Sequence, residues 1–133
     1  MATNDRFGGA SWSLRLALAW QGQHDEECAT ITDDAGIGAL QISAVLKQNE
    51  AVSDDDLREF AEGLPDPVRA VSFGAFAGFE HAFTENGFSW RRWFLRSESI
   101  LLFATYNCYL IDAGTGDLDV EMMLQSLRRI GPQ

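Results

Sequence analysis

Large apolar side chains alternate with small or polar ones from Trp12 to Trp20. Trp12, Leu14, Leu16, Leu18 and Trp20 share one side, and Ser11, Ser13, Arg15, Ala17 and Ala19 the other. A period of two predicts a strand with one face buried. The polar stretch Gln21 to Glu27 reads as a turn. Cys28 to Thr32 and Ile37 to Val45 then continue an antiparallel meander as strands two and three, joined by Asp33-Asp34-Ala35-Gly36.

The period changes at Ser53, whose hydroxyl can cap a helix that begins with Asp54, Asp55 and Asp56 at the positive end of its dipole. Leu57, Phe60, Ala61 and Leu64 follow at i, i+3, i+4 and i+7, with Arg58, Glu59 and Glu62 facing water, and Gly63 and Pro65 limit the helix. Period two returns in Val68–Phe73, Phe76–Phe83, Phe88–Arg96 and Ile100–Leu110, with Asn86-Gly87 as the clearest hairpin turn. Ile100 to Ile111 is almost continuously apolar and rich in β-formers, which predicts a central strand covered on both faces. Asp117 reads as the cap of a second helix with Val120, Met123, Leu124 and Leu127 inward, ended by Gly131-Pro132.

Three strands, a helix, four strands and a helix give an α+β fold. Linkers between strands are too short for crossover helices, so a mostly antiparallel sheet of six or seven strands is expected, with helices on its faces as in an α/β/α-type sandwich. The 133 residues suffice for one core, expected over residues 11–131 behind a flexible N-terminal segment of residues 1–10.

The Trp12 to Trp20 run, Gly36-Ile-Gly-Ala-Leu-Gln-Ile-Ser43, the capped helix at Ser53, Trp90-Arg-Arg-Trp-Phe-Leu95, Leu101-Leu-Phe-Ala-Thr-Tyr-Asn-Cys108 and the closing helix together resemble the PsbP-like, or Ran-binding Mog-like, α/β superfamily. The resemblance is one of layout and covers about residues 10 to 130. It implies a non-catalytic binding module. Members include photosystem extrinsic subunits, a Ran-binding nuclear factor, small bacterial lipoproteins and cytoplasmic chaperones of type VI secretion effectors.

Charge narrows the partner. Twenty acidic residues stand against nine Arg and Lys47, a net charge of −10. Residues 25–66 hold twelve of the acids against Lys47 and Arg58, while the rest of the chain balances eight against eight. Such a field opposes nucleic acid, which is bound through basic faces; it reads either as a solvated acidic face that keeps the protein soluble or as a docking face for a basic protein. No apolar run is long enough for a membrane span, and Met1 to Gly9 lacks the pattern of a signal peptide, so a cytoplasmic protein is expected. Cys28 and Cys108 then read as reduced, partly buried small hydrophobes.

Catalytic chemistry finds little footing. His24-Asp25-Glu26-Glu27-Cys28 holds metal-ligand residue types, but neighbours on a turn converge poorly on one ion, and neither metal nor cofactor is expected. Gly36 and Gly38 lack the third glycine and the helix of a dinucleotide loop. His24 and His81 are the two imidazoles, and no nucleophile elbow accompanies them. On the Trp90–Arg96 strand, Trp90, Arg92, Phe94 and Arg96 share one face and Arg91, Trp93 and Leu95 the other, so each face mixes cation and aromatic. Arg paired with acids of neighbouring strands accounts for that mixture, as does an aromatic and Arg hot spot for a partner.

The expected function is therefore non-catalytic protein binding, as a bacterial immunity protein or a type VI effector chaperone, with a basic toxin or secreted effector as partner. Its contact residues are Asp33 and Asp34 on the turn, Asp54, Asp55 and Asp56 at the helix start, and Trp90 and Arg92. The rival is a small-molecule binder or weak hydrolase with a pocket lined by His81, Tyr106 and Cys108. A third reading is self-association through an edge strand, either the first or Phe76–Phe83.

Overall fold

The computed structural model describes residues 6–25, 28–47, 51–60 and 68–130, with the backbone alone described at Asp54, Phe60 and Val68. In chain order the described elements are β1 (Arg6–Gly8), β2 (Trp12–Arg15), β3 (Trp20–His24), β4 (Ala29–Asp33), β5 (Gly38–Leu46), α1 (Asp54–Phe60), β6 (Val68–Phe73), β7 (Phe76–Glu85), β8 (Phe88–Ser97), β9 (Ile100–Tyr109), α2 (Asp117–Gln125) and β10 (Arg128–Arg129). The fold is α+β. A seven-stranded sheet, antiparallel throughout, runs in the order β3-β4-β5-β9-β8-β7-β6, and a three-stranded sheet runs β1-β2-β10.

The apolar run ending at Tyr109 takes the middle of the large sheet, between β5 and β8. Ile100, Leu102, Ala104, Tyr106 and Cys108 are buried, whereas Leu101, Phe103, Thr105 and Asn107 between them are only half-buried. One face of the sheet is thus closed and the other partly open. The closed face carries Leu40, Ile42, Trp93 and Leu95, and is covered by Val120, Met123, Leu124 and Leu127 of the α2 region together with Trp12 and Leu14 of the small sheet. Burying such side chains contributes about 2 kcal/mol each, which holds a short helix such as α2 in place. On the open face Phe94 is buried, as are Val52 and Leu57, where α1 meets β8.

Four hairpin strands from Val68 onward fall where the sequence predicts them. Asn86 and Gly87 both have positive φ, 53° and 83°, as a two-residue turn between twisted strands requires. The Ser53 cap forms as well: its hydroxyl accepts from the Asp56 amide at 3.1 Å, and Asp56 Oδ2 accepts from the Ser53 amide at 2.9 Å. Ala61 and Leu64, expected on the same helix, lie outside the described residues, as do Gly131 and Pro132.

The first expected strand divides in two. Ala19 adopts φ 69°, and the Trp20 amide donates to the Ala17 carbonyl, so the chain turns between Leu16 and Trp20. Trp12 and Leu14 stay in the small sheet, Trp20 opens the edge strand β3, and Leu18 is left 74% exposed at the turn. Gln21 to His24 is strand rather than turn. Its polar composition suits an edge, and Gly22 leaves the space taken by Phe7, whose ring would lie 2.6 Å from a Cβ there. Arg6–Gly8, inside the segment expected to be flexible, pairs with β2. At the other end α2 stops at Gln125, and Arg128–Arg129 returns to pair with Trp12 and Ser13. Phe76–Glu85 is interior, flanked by β6 and β8; the edges of the large sheet are β3 and β6.

Candidate functional site

The described acids of the acidic segment do not form one face. Asp33 and Asp34 sit on the β4–β5 hairpin, and Asp54, Asp55 and Asp56 follow the opposite end of β5, which at nine residues spans about 30 Å. Several of these acids serve local structure. Asp33 Oδ1 accepts from the amides of Ile37 and Gly38 at 2.9 and 3.3 Å, tying the hairpin. Asp56 holds the α1 cap and pairs with Lys47 at 2.7 Å; the Lys47 bond, then the Ser53 amide, draw its carboxyl down to about 2. Asp55 is exposed beside Arg58, and the side chain of Asp54 lies outside the described residues.

The two faces of β8 separate as expected. Arg91, Trp93 and Leu95 turn to the closed face, and Trp90, Arg92, Phe94 and Arg96 to the open one. Trp90 stacks on Phe83 with ring centroids 6.0 Å apart, and the Arg92 guanidinium lies 4.3 Å from the Phe83 ring. His81 stacks on the same Phe83 ring at 5.3 Å. Since His81 pairs with Arg92 and Arg91 with Tyr106, His81 projects from the face opposite Tyr106 and Cys108. The expected pocket of His81, Tyr106 and Cys108 therefore does not form. Burial, the largest influence on each, pushes both Cys28 and Cys108 upward, away from the thiolate that a nucleophile needs.

Two clefts flank α2 and differ in chemistry. The first, about 530 Å³, includes Arg69, Glu80, Ser89, Arg91, Asp117 and Glu121 in its lining. Glu80 and Arg91 are both buried; Arg91 Nε donates to Glu80 Oε2 at 2.8 Å and Arg91 Nη2 to Glu121 Oε2 at 3.0 Å. Arg69 pairs with the other Glu80 oxygen, and Asp117 Oδ1 lies 3.3 Å from Arg91 Nη1. Burial alone would raise the Glu80 carboxyl, but the bonds from Arg91 and then Arg69 outweigh it and hold the group below the ordinary value. Arg91 is correspondingly kept charged by Glu80 despite its burial. Asp117, expected to cap α2, instead follows the Gly116 N-cap and turns its carboxylate to Arg91.

The second cleft, about 300 Å³, lies on the other side of α2 and is lined by residues that include Leu18, Trp20, Asp33, Asp34, Tyr106 and Asp119. No lining residue carries a positive charge. Trp20 Nε1 donates to Asp119 Oδ2 at 3.0 Å. Tyr106 is 2% exposed, and its hydroxyl has no hydrogen-bond partner among the described residues. It fits between Gly38 and Gly116; a Cβ on Gly116 would stand 2.5 Å from the hydroxyl, and one on Gly38 would collide with it. Burial first, then the charges of Cys108 and Asp33, push the phenol up to about 12, so it stays protonated. Asp33 and Asp34 were legible in the sequence as contact candidates. Trp20, Tyr106 and Asp119 were not, because they come from strands and a helix far apart in the chain.

No protein-family model matches the sequence, and no curated protein matches it. Solved structures do resemble the fold. A protein of Bacteroides thetaiotaomicron VPI-5482 superposes on 97% of this chain with a TM-score of 0.76 at 18% identity, and the chain spans about half of that protein, 49%. LpqN of Mycobacterium tuberculosis, described as involved in cell envelope biogenesis, superposes on 90% of this chain and 83% of its own at 12% identity, with a TM-score of 0.57. A cyanobacterial PsbP, CyanoP of Synechocystis sp. PCC 6803, covers 98% of this chain and 94% of its own at 8% identity and a TM-score of 0.48. At these identities the likeness is one of fold. Among the described residues no helix is long and apolar enough to cross a membrane.

Proposed function

We propose that the protein is a non-catalytic module that binds a basic protein partner, in the manner of an immunity protein or an effector chaperone, at the outer surface of α2 and the neighbouring acidic cleft. The observation that carries this reading is the apolar surface left in water beside acidic groups. Val120, Met123 and Leu124 anchor α2, while Leu118 and Met122, one turn apart on its outer side, are 74% and 57% exposed. Leu18, 74% exposed, stands on the rim of the neighbouring cleft that holds Asp34 and Asp119. Large apolar side chains grouped on a surface mark an interface, and surrounding carboxylates select a basic partner and speed its approach. Net charge of −10 acts in the same direction.

The test compares two tagged forms of the protein in its native lysate. Wild type should retain a basic protein that the Leu118→Asp/Met122→Asp variant releases, since both positions face solvent and the variant keeps its fold. Identical capture by the two forms, or capture of no basic protein, removes the reading.

A further inference from the structure

We propose that the cleft between Trp20, Tyr106 and Asp119 receives a single arginine side chain of the protein partner. The inference rests on the protein-binding reading and names the chemistry of its contact. Three carboxylates, Asp33, Asp34 and Asp119, line a space of about 300 Å³ without any cationic residue to neutralise them. Asp119 is held by the Trp20 indole through Oδ2, which leaves Oδ1 for another donor. Asp33 spends Oδ1 on the hairpin amides and keeps Oδ2. Asp34 is exposed, with no side-chain partner among the described residues.

The Tyr106 hydroxyl is the independent sign of a missing ligand. A buried polar group without a partner costs about 1–3 kcal/mol, so a site that retains one gains when a donor arrives. Its position depends on two glycines, Gly38 and Gly116, at each of which a Cβ would collide with the oxygen. With its proton held to about 12, the phenol stays neutral, and its oxygen can accept from an incoming donor. The N-terminal end of α2 contributes a partial positive charge of about half a unit, which Asp117 and Asp119 in its first turn outweigh.

Guanidinium fits these features better than ammonium. It is flat, offers five N–H donors in one plane, bonds carboxylates on two walls at once and lies against an indole face. Here the walls are Asp119 with Trp20 and Asp33 with Asp34, and the floor is Tyr106. Leu18, on the rim of the cleft and 74% exposed, would cover the methylene stem.

The full ¹⁵N-labelled chain is titrated with acetyl-arginine-N-methylamide, and with its lysine and citrulline counterparts. Arginine should give saturable shifts at the Trp20 indole N–H and the Gly38 and Gly116 amides; citrulline, equal in shape but uncharged, should give none, and lysine should bind more weakly. Asp119→Asn should weaken arginine about tenfold, and the exposed Asp34→Asn, which leaves the fold untouched, about threefold. Equal binding of citrulline, no saturation by arginine, or an Asp34→Asn/Asp119→Asn chain that binds as wild type overturns the proposal. Free arginine carries an α-carboxylate that the three acids repel; tighter binding of the free amino acid than of the blocked one would assign the cleft to a small metabolite instead. If Leu118→Asp/Met122→Asp abolishes partner capture while Asp34→Asn/Asp119→Asn does not, the arginine proposal fails and the binding reading stands. Saturable arginine binding with no basic protein captured overturns both the binding reading and the partner's arginine, and leaves a cleft for a free guanidinium compound.

Discussion

The two clefts beside α2 are built from the same materials and end in opposite conditions. On one side Arg91 and Glu80 are buried, and Arg69, Asp117 and Glu121 close around them. On the other side Tyr106 is buried equally well, yet its hydroxyl meets no partner and the acids around it meet no cation. The difference lies in which strand supplies the central residue. β8 brings an Arg to the closed face beside the Glu of β7, so that charge is matched within the sheet. β9 brings a Tyr beside the glycines of β5 and the start of α2, where backbone surrounds the hydroxyl and side-chain donors are missing. A network whose charges are matched gives structure, whereas acids left without a cation give an address for something else.

The largest expected effect tests the closed side. Arg91→Met leaves Glu80 buried with Arg69 alone and should cost about 3 kcal/mol in urea unfolding, much of which Glu80→Leu in the same chain should restore. A single-variant loss under about 1 kcal/mol would mean that the cluster is as weak as a surface pair and the contrast false. On the open side Gly116→Ala should cost about 2 kcal/mol through its collision with the Tyr106 hydroxyl. Tyr106→Phe added to it should return about half of that loss, a coupling read by a double-mutant cycle. Tyr106→Phe alone should stabilise the protein by about 1 kcal/mol, because an unpaired polar atom leaves the interior; a loss of similar size would reveal a partner for the hydroxyl.

The smallest effects separate the clefts by pH. The Glu80 carboxyl lies below its ordinary value in the folded protein, so its contribution is present above the ordinary glutamate range of about 4.3 and is lost as pH falls through the folded value. Tyr106 is shifted the other way, up to about 12, so its contribution is present at neutral pH and is lost as pH rises toward that value. Unfolding midpoints should drop at both extremes. Arg91→Met should flatten the acid limb and Tyr106→Phe the alkaline one.

The hairpin region was legible because local chemistry decides it. Asn86-Gly87 accepts positive φ, and the Ile100–Tyr109 run has too many β-formers to be anything but a strand, though only one of its faces is fully covered. Residues 12–20 misled because alternation continues through a turn that Ala19, not a glycine, makes at positive φ. Gln21–His24 looked too polar for a strand because an edge strand need bury little. Within the candidate site, the acids of the hairpin showed in the sequence, and the aromatic residues that give them a use did not. Trp20 and Asp119 are 99 positions apart, and only the fold joins them.

The small sheet has a consequence for the order of assembly. β2 is bracketed by β1, a few residues before it, and by β10, more than 110 residues after it. Loop closure of that length is slow to repay its entropy, whereas the β7–β8–β9 hairpins form from neighbours. The clasp of Arg128 and Arg129 on Trp12 and Ser13 should therefore close after the hairpins and open before them, and amide hydrogens of β10 should exchange long before those of β9. Since α2 leads directly into that clasp, the surface proposed for the partner is tied to the part of the fold that lets go first.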